Sequence, residues 1–269
     1  MKRLFGIVPG LALALGLVAC GPSYVLPRPD AAQLDRAARI YAQAQAAPPT
    51  RMLTDAQAES RFRRVEARVS PVAIATCKEL AGQLDATDKG EIFCGVLLGI
   101  DTETDVPNAA LFPILDEETQ QVYPAIVVTQ ALLKLTRNDD EAAFVLAHEY
   151  GHLLGGHIQK QYQQIMSGTV LGNLLGGGNI GAQIASQAYS GKYELEGDAF
   201  GTRIAYAAGY DPIKGAQIFA RLAAEAENSG ESHPALFETH PPDVERIAMV
   251  LATLAQIQAG IDPTRKVLH

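Results

Sequence analysis

Basic residues are scarce in this chain of 269 residues. Lys and Arg together number 22 against 30 Asp and Glu, which leaves a formal net charge of −8 at pH 7. A protein that is drawn to nucleic acid or to an anionic lipid surface by its overall charge carries an excess of positive charge. The scarcity excludes both partners, and we expect the chain to act on protein.

Long apolar runs are also scarce. The run Leu4–Ala19 follows Lys2 and Arg3 and is too short and too weakly flanked for a membrane span, so it predicts a signal peptide. A second segment, Met166–Ser190, contains no charged residue, but its glycines and side-chain amides make it a poor membrane span. This segment is either a connector or a flexible lid over a cleft, and the sequence leaves both interpretations open.

The chain has only three cysteines, and the first ends the apolar run. The sequence from Leu17 to Cys20 resembles a bacterial lipobox, which implies that Cys20 is lipidated and begins the mature chain; the alternative is an unmodified cysteine after a plain signal peptide. The residue after Cys20 is Gly21 and not Asp, which resembles the pattern of lipoproteins that are sorted to the outer membrane. We therefore expect a periplasmic protein that is anchored by lipid alone to the outer membrane of a Gram-negative bacterium.

The other two cysteines are Cys77 and Cys94. An even number of cysteines in an oxidising compartment predicts a disulfide between them. The alternative is a pair of small buried thiols.

No internal repeat is apparent, and about 250 residues would remain after the signal peptide, enough for one sizeable core. Residues 21–50 are rich in Pro and Ala and offer little for a core, although Ala31–Gln45 can form a short helix. The sequence thus predicts four segments: a signal peptide at 1–19, a tether with an N-terminal helix at 20–53, a core domain at 54–260 and a C-terminal tail at 261–269.

The core domain begins with a helical pattern from about Thr54 to Leu84, with an interruption predicted near Pro71. Its apolar stripe is formed by Phe62, Val65 and Val69. The run Ile92–Ile100 predicts a buried strand and Ala125–Thr129 a second one. Nearly everything that follows is helical in pattern.

The most informative motif is His148-Glu149-Tyr150-Gly151-His152. Because an α-helix turns about 100° per residue, the two histidines lie on one face and both can reach one metal ion. Zinc in a hydrolytic site uses three protein ligands and lowers the pKa of a bound water to about 7. Glu149 stands where it can take that water's proton, so it is the candidate general base.

The local sequence predicts a helix around this motif. Asn138 can cap its start, and acidic residues fill its first turn from Asp139 to Glu141. Gly155 and Gly156 then end it.

A third ligand is expected from a second helical pattern at Tyr193–Gly201. Glu194 and Asp198 share one face of that helix. Glu196 lies about 200° away from Glu194, so only one of the two glutamates can be the ligand.

At this point the chain resembles the M48 family of metallopeptidases, gluzincins in which a His-Glu-x-x-His helix is followed by a helix reading Glu-x-x-Ala-Asp. The resemblance implies that Glu194 completes a zinc site with His148 and His152, one Zn²⁺ per chain. It implies that Asp198 orients a liganding histidine and that Glu196 has no part in the site. The implied fold is α+β, mainly helical with a small β-sheet.

Further landmarks extend the resemblance over roughly residues 60 to 255. They are Asn108-Ala109, the strand from Ala125 with its following turn, the Gly209-Tyr210-Asp211-Pro212 turn and the His240-Pro241 segment that leads to Arg246. Two glycines depart from the family pattern. Gly197 stands where Ala is usual and Gly191 where Arg is frequent, and neither removes a ligand. Leu111-Phe112-Pro113 replaces the usual Pro-Gly-Gly, so we expect the substrate-side edge of the cleft to be remodelled.

The remaining histidines differ in context. His157 follows the glycines that end the zinc helix, and we expect it not to turn back toward the ion but to have a structural or solvated role. His240 lies in a family-like segment and is expected either to stabilise the oxyanion of the tetrahedral intermediate or to block the fourth coordination position in a latent state. His233 and His269 have no such context.

The resemblance implies a zinc metalloendopeptidase, and the lipid anchor implies envelope substrates, such as misfolded proteins removed by quality control. The alternative is a zinc-bearing periplasmic binding protein that escorts unfolded clients and seldom cuts. The intact Glu149 argues against that alternative, because a purely structural metal site needs no base beside it.

Overall fold

The structure, a computed structural model, describes residues 24–82, 94–115, 122–158, 160, 191–229, 236 and 239–265. The predicted signal peptide, Cys20 and the Met166–Ser190 segment lie outside the described residues. Within them the elements are β1 (Tyr24–Val25), α1 (Ala31–Gln45), α2 (Asp55–Gly82), β2 (Leu97–Asp101), β3 (Ala109–Leu115), β4 (Val122–Thr129), α3 (Gln130–Leu135), α4 (Asp139–Leu154), α5 (Gly191–Ala207), α6 (Pro212–Ser229), α7 (Val244–Gln258) and β5 (Thr264–Arg265). The predicted α+β class, dominated by helices, is confirmed.

Helix α4 forms the centre of the core. The Asn138 side chain caps it by accepting a hydrogen bond of 2.9 Å from the Glu141 N–H, and Gly155 ends it, as the sequence predicts. Almost every α4 side chain is buried, against α2, α5 and α6. A helix that is enclosed on all sides holds its polar side chains in fixed positions, and this helix carries the His-Glu-x-x-His motif.

Helix α2 is continuous, so the predicted interruption near Pro71 is wrong. Proline removes one backbone hydrogen bond from a helix interior and clashes with the preceding turn. Here the ring lies on the exposed side, while the opposite face packs on the core before and after it. The predicted stripe of Phe62, Val65 and Val69 is buried and continues through Ala73, Cys77 and Leu80. Burial along the whole face offsets the local cost of the proline.

The sheet has three strands in the order β2-β4-β3, with β2 parallel and β3 antiparallel to β4. The second predicted strand is confirmed and starts earlier, at Val122. The first is only partly correct: it runs from Leu97 to Asp101, and Leu97 is 52% exposed because β2 lies at the edge of this sheet. The sequence did not predict β3, whose Pro113 argues against a strand; proline is tolerated at a sheet edge, and β3 is the other edge.

The N-terminal segment is not a tether once it reaches residue 24. Helix α1 has the predicted bounds, but it packs on α6 and α7, with Ala37 buried against Ile247 and Leu251. Thr50 then donates a hydrogen bond of 2.9 Å to Glu225 on α6. Alanine adds little apolar area per residue, but its small side chain lets helices approach closely. A segment rich in alanine can therefore pack on a core although its composition resembles that of a tether.

The predicted C-terminal tail is also attached to the core. Residues 264 and 265 pair antiparallel with β1, so the two ends of the described chain form a small sheet together. The division at residues 53 and 261 therefore separates segments that pack against one another.

The structure joins Cys77 at the end of α2 to Cys94, as the cysteine count predicts, with Cα atoms 5.6 Å apart. The bridge connects α2 to the segment that leads into the sheet. Among the described residues, no helix combines the length and the apolar character that crossing a membrane requires.

Candidate metal centre

Three predicted ligand side chains meet between α4 and α5. The Nε2 atoms of His148 and His152 lie 2.9 Å apart. Glu194 from α5 places Oε1 at 3.2 Å from His152 Nε2 and Oε2 at 3.4 Å from His148 Nε2. All three side chains are buried. The structure thus brings together the two histidines of one helix and the carboxylate of another, 42 residues further along the chain.

Two glycines allow these helices to approach. A Cβ atom on Gly151 of α4 would collide with the backbone of Gly197 on α5. A Cβ atom on Gly197 would lie 2.9 Å from His148 Cε1, closer than real Cβ atoms pack, and 3.3 Å from His152 Nε2, a tight contact. The departure from the family pattern at Gly197 therefore gives the His148 ring room at its observed position.

The donor set fits a divalent cation such as zinc. Two imidazoles and one carboxylate are a ligand combination found in catalytic zinc sites that keep one position for water. Beside them lies Glu149, which is 1% exposed, and its Oε2 atom has no hydrogen-bond partner within the described part of the chain. A buried carboxylate oxygen without a partner is costly, and a metal-bound water would supply the missing donor.

Asp198 and Arg246 support the ligands from behind. Asp198 Oδ1 lies 2.9 Å from His148 Nδ1, on the ring side opposite the cluster, where it can orient the ring. Arg246 on α7 donates two hydrogen bonds of 2.8 Å to the Asp198 carboxylate. Its Nη1 atom lies 3.2 Å from Glu194 Oε2. One guanidinium thus bridges both carboxylates.

Sequence reasoning treated Arg246 only as a landmark. A signal was present, because Arg246 begins the unbroken buried run of an apolar helix, and arginine is almost never fully buried unless it is paired.

The electrostatics of the cluster favour ionised carboxylates. Burial alone would raise the pKa of Glu194, but His240 and Arg246 hold that pKa well below its ordinary value. Burial also acts to raise the pKa of Asp198, and Arg246 again outweighs it and lowers the pKa. In turn the two carboxylates raise the pKa of Arg246, against the lowering effect of burial.

The pKa values of His148 and His152 shift in opposite directions. Burial and Arg246 lower the pKa of His148, but hydrogen bonds to Asp198 and Glu194 outweigh them and raise it to about 9. Burial and the neighbouring His148 lower the pKa of His152 well below its ordinary value. Because a cation binds unprotonated ring nitrogens, it must displace any proton that those nitrogens carry.

His240 approaches the ligands from the segment before α7. Its Nδ1 atom lies 3.1 and 3.2 Å from the two Glu194 oxygens and 3.2 Å from His148 Nε2, and its Nε2 lies 3.4 Å from Glu149 Oε1. Donor atoms of His240 and the three ligands all lie within 4.8 Å of one another. The ring is thus close enough to reach either a bound cation or a group that reacts on it.

His157 does not face the ligand cluster, in agreement with the sequence, but the solvated alternative is wrong: the ring is completely buried and its Nδ1 lies 2.7 Å from Nδ1 of His152, the nitrogen on the side away from the cluster. Gly156, with φ of 63°, adopts a left-handed conformation that turns the chain back toward α4. Glu196 is not a ligand, as predicted, but it is not a bystander either, since its Oε2 lies 2.8 Å from His157 Nε2.

Two histidines with an intervening glutamate on one helix, and a glutamate on the next helix that meets them, are the arrangement typical of gluzincin metallopeptidases. The chain belongs to peptidase family M48, whose family model matches residues 103–254. It is 28% identical over 121 residues to the metalloprotease LoiP of Escherichia coli, a match that covers 40% of this chain and 47% of that protein. It is 27% identical over 153 residues to the mitochondrial metalloendopeptidase OMA1 of Arabidopsis thaliana, covering 50% of this chain and 30% of that one. The chain thus spans about half or less of the curated relatives that it matches.

Replacing Arg246 by Met should destabilise the metal-free protein by about 3–5 kcal/mol, because it leaves the buried carboxylates of Glu194 and Asp198 without their cation. Metal should restore part of that loss by neutralising Glu194. Urea unfolding of metal-free and metal-loaded protein measures both effects.

The matched control is Arg203→Met, which removes an arginine that bonds Gln256 across α5 and α7. It should cost about 1 kcal/mol in both forms. Equal losses in the two arginine variants would contradict the bridging role of Arg246.

Proposed function

We propose that this chain is a zinc metalloendopeptidase in which His148, His152 and Glu194 hold one Zn²⁺ and Glu149 is the general base. The family supports a metalloprotease, and the orphaned Oε2 of Glu149 beside the ligand cluster is the observation that carries the assignment to this site. A carboxylate that served only to stabilise the fold would have its oxygens satisfied by the protein.

The chemistry follows from the positions of these groups. Bound zinc would polarise the scissile carbonyl and lower the pKa of a water molecule to about 7. Glu149 would accept a proton from the attacking water and pass it to the leaving amine. Asp198 holds the His148 ring, and Arg246 keeps Glu194 ionised, so that the ligand set stays anionic and fixed while Glu149 moves the proton.

Glu149→Gln should lower turnover of a peptide substrate by about 10²–10⁴-fold, because the amide cannot accept the proton. Zinc content should stay at the wild-type level, since Glu149 is not a ligand. Cleavage of a quenched fluorescent peptide and elemental analysis give the two measurements.

The control is Glu59→Gln, on the exposed side of α2, which should retain full activity. Undiminished cleavage by Glu149→Gln would refute the assigned base. If this variant also protected unfolded clients from aggregation as well as the wild type does, the binding-protein alternative would gain ground.

His240 has two candidate roles in the proposed enzyme. It either stabilises the oxyanion or occupies the fourth position at the metal and keeps the enzyme latent, and its short distances to Glu194, His148 and Glu149 accommodate both.

His240→Ala separates these roles by the sign of its effect. Loss of about 10²–10³-fold in kcat is expected for an oxyanion group, whereas a rise in activity is expected if the ring blocks the metal. Unchanged kinetics together with an unchanged visible spectrum of the cobalt-substituted protein would remove His240 from the site.

The substrates that we propose are polypeptides of the bacterial envelope, with a role in protein quality control. Support comes from the net negative charge, from the lipobox-like segment at Cys20 and from β3, which pairs on only one side within the described residues. An extended peptide can add to such an edge by main-chain hydrogen bonds.

The proposed location is the periplasmic face of the outer membrane, with Cys20 carrying the lipid. Cys20→Ser should release the protein from the membrane fraction, because the lipid on Cys20 is the single membrane attachment that we propose. Mass spectrometry of the wild-type N-terminal peptide measures the acyl chains, and a wild-type peptide without any acyl group would refute the anchor.

A further inference from the structure

A chain of buried hydrogen bonds leads away from His152 on the side opposite the ligand cluster. His152 Nδ1 lies 2.7 Å from His157 Nδ1, and His157 Nε2 lies 2.8 Å from Glu196 Oε2. The other oxygen of Glu196 accepts a hydrogen bond of 2.9 Å from the main-chain N–H of Tyr24. The three side chains are all 0% exposed.

Local sequence builds this arrangement. The left-handed turn at Gly156 reverses the chain after α4, and a Cβ on Gly155 would collide with the His157 imidazole. The ring then stacks on Tyr193 of α5, with centroids 4.5 Å apart and planes at 26°. His157 therefore has its position and its plane fixed by groups on both sides.

The direction of each hydrogen bond follows from the first. If His152 uses Nε2 for the metal, its Nδ1 carries the proton and donates to His157 Nδ1. His157 must then carry its own proton on Nε2, which donates to the Glu196 carboxylate. Burial and the ammonium of Lys160 lower the pKa of His157, in agreement with a neutral ring.

We propose that His157 and Glu196 are positioning residues that orient His152 and strengthen it as a metal ligand, with the backbone of Tyr24 holding Glu196 in place. The two liganding histidines would then be supported in parallel ways. His148 contacts the carboxylate of Asp198 directly, and His152 reaches the carboxylate of Glu196 through one intervening imidazole. This inference rests on the proposed metal site.

A purely structural role is the competing explanation, since a buried His–Glu pair also stabilises the turn after α4. Metal affinity separates the two explanations. Partners that orient a liganding histidine typically contribute about 10–100-fold to metal affinity, whereas a structural pair elsewhere in the fold contributes to stability alone.

The test compares three variants of the full chain: His157→Phe, Glu196→Gln and the control Glu141→Gln. Glu141 is likewise a buried carboxylate, paired with Arg221 at 2.6 Å on the helix that carries both histidines, but it does not touch the metal cluster. Zinc affinity is measured by competition with a chromophoric chelator, geometry by the visible spectrum of the cobalt-substituted protein, and stability by urea unfolding of the metal-free protein.

We expect His157→Phe and Glu196→Gln to bind zinc about 10–100-fold more weakly than the wild type and to shift the cobalt spectrum. Glu141→Gln should lose stability while its zinc affinity and cobalt spectrum stay those of the wild type. Wild-type affinity and spectrum in folded His157→Phe and Glu196→Gln would overturn the inference, and so would a failure of both to fold while the control folds. If the wild type itself binds no zinc, the proposed function fails, which is a different result from wild-type-like variants of a zinc-binding chain.

Discussion

The close approach of α4 and α5 is the constraint on which the metal centre depends. Two of the proposed ligands come from one helix and the third from the other, so the cluster exists only if the two backbones come close. Gly151 and Gly197 face each other at that point: a methyl group on Gly151 would collide with the Gly197 backbone, and one on Gly197 would collide with the His148 ring. Packing of small residues thus sets the chemistry, because it fixes the distance between the imidazoles of His148 and His152 and the carboxylate of Glu194.

Buried charge is the cost of this arrangement. Glu149, Glu194, Glu196 and Asp198 are all nearly inaccessible to water, and isolated ionised carboxylates are unstable in such surroundings. Arg246 compensates Glu194 and Asp198 by direct contact, and His157 and the Tyr24 N–H contact Glu196. Among these four, Glu149 alone keeps an oxygen without a partner in the described part of the chain, which supports its proposed role as the general base. The charges are thus arranged so that one carboxylate is left available.

Much of the metal site was readable from the sequence because its signals are local. The spacing of His148 and His152 defines one face of one helix, and the resemblance to the M48 family then selects Glu194 over Glu196. The cap at Asn138, the end of α4 at Gly155 and the bounds of α1 were readable for the same reason, since each depends on neighbouring residues.

What the sequence concealed depends on contacts between distant segments. Pro71 reads as a helix breaker, but burial of the opposite face keeps α2 continuous. Arg246 contacts Asp198 only because α7 lies against α5. Glu196 contacts His157 only because the turn at Gly156 returns His157 to α4. The packing of α1 was concealed for a different reason: its fully buried residues, Ala37 and Ala44, are alanines, which composition alone does not distinguish from those of a linker.

The central claim is that His148, His152 and Glu194 hold one divalent cation. Crystals of the full chain prepared with zinc, measured on both sides of the zinc absorption edge, test it most directly. The account predicts one strong anomalous peak per chain, at roughly 2.0–2.2 Å from a nitrogen of each histidine and an oxygen of Glu194. A folded chain with no such peak, or a peak that Glu194 does not contact, would contradict it.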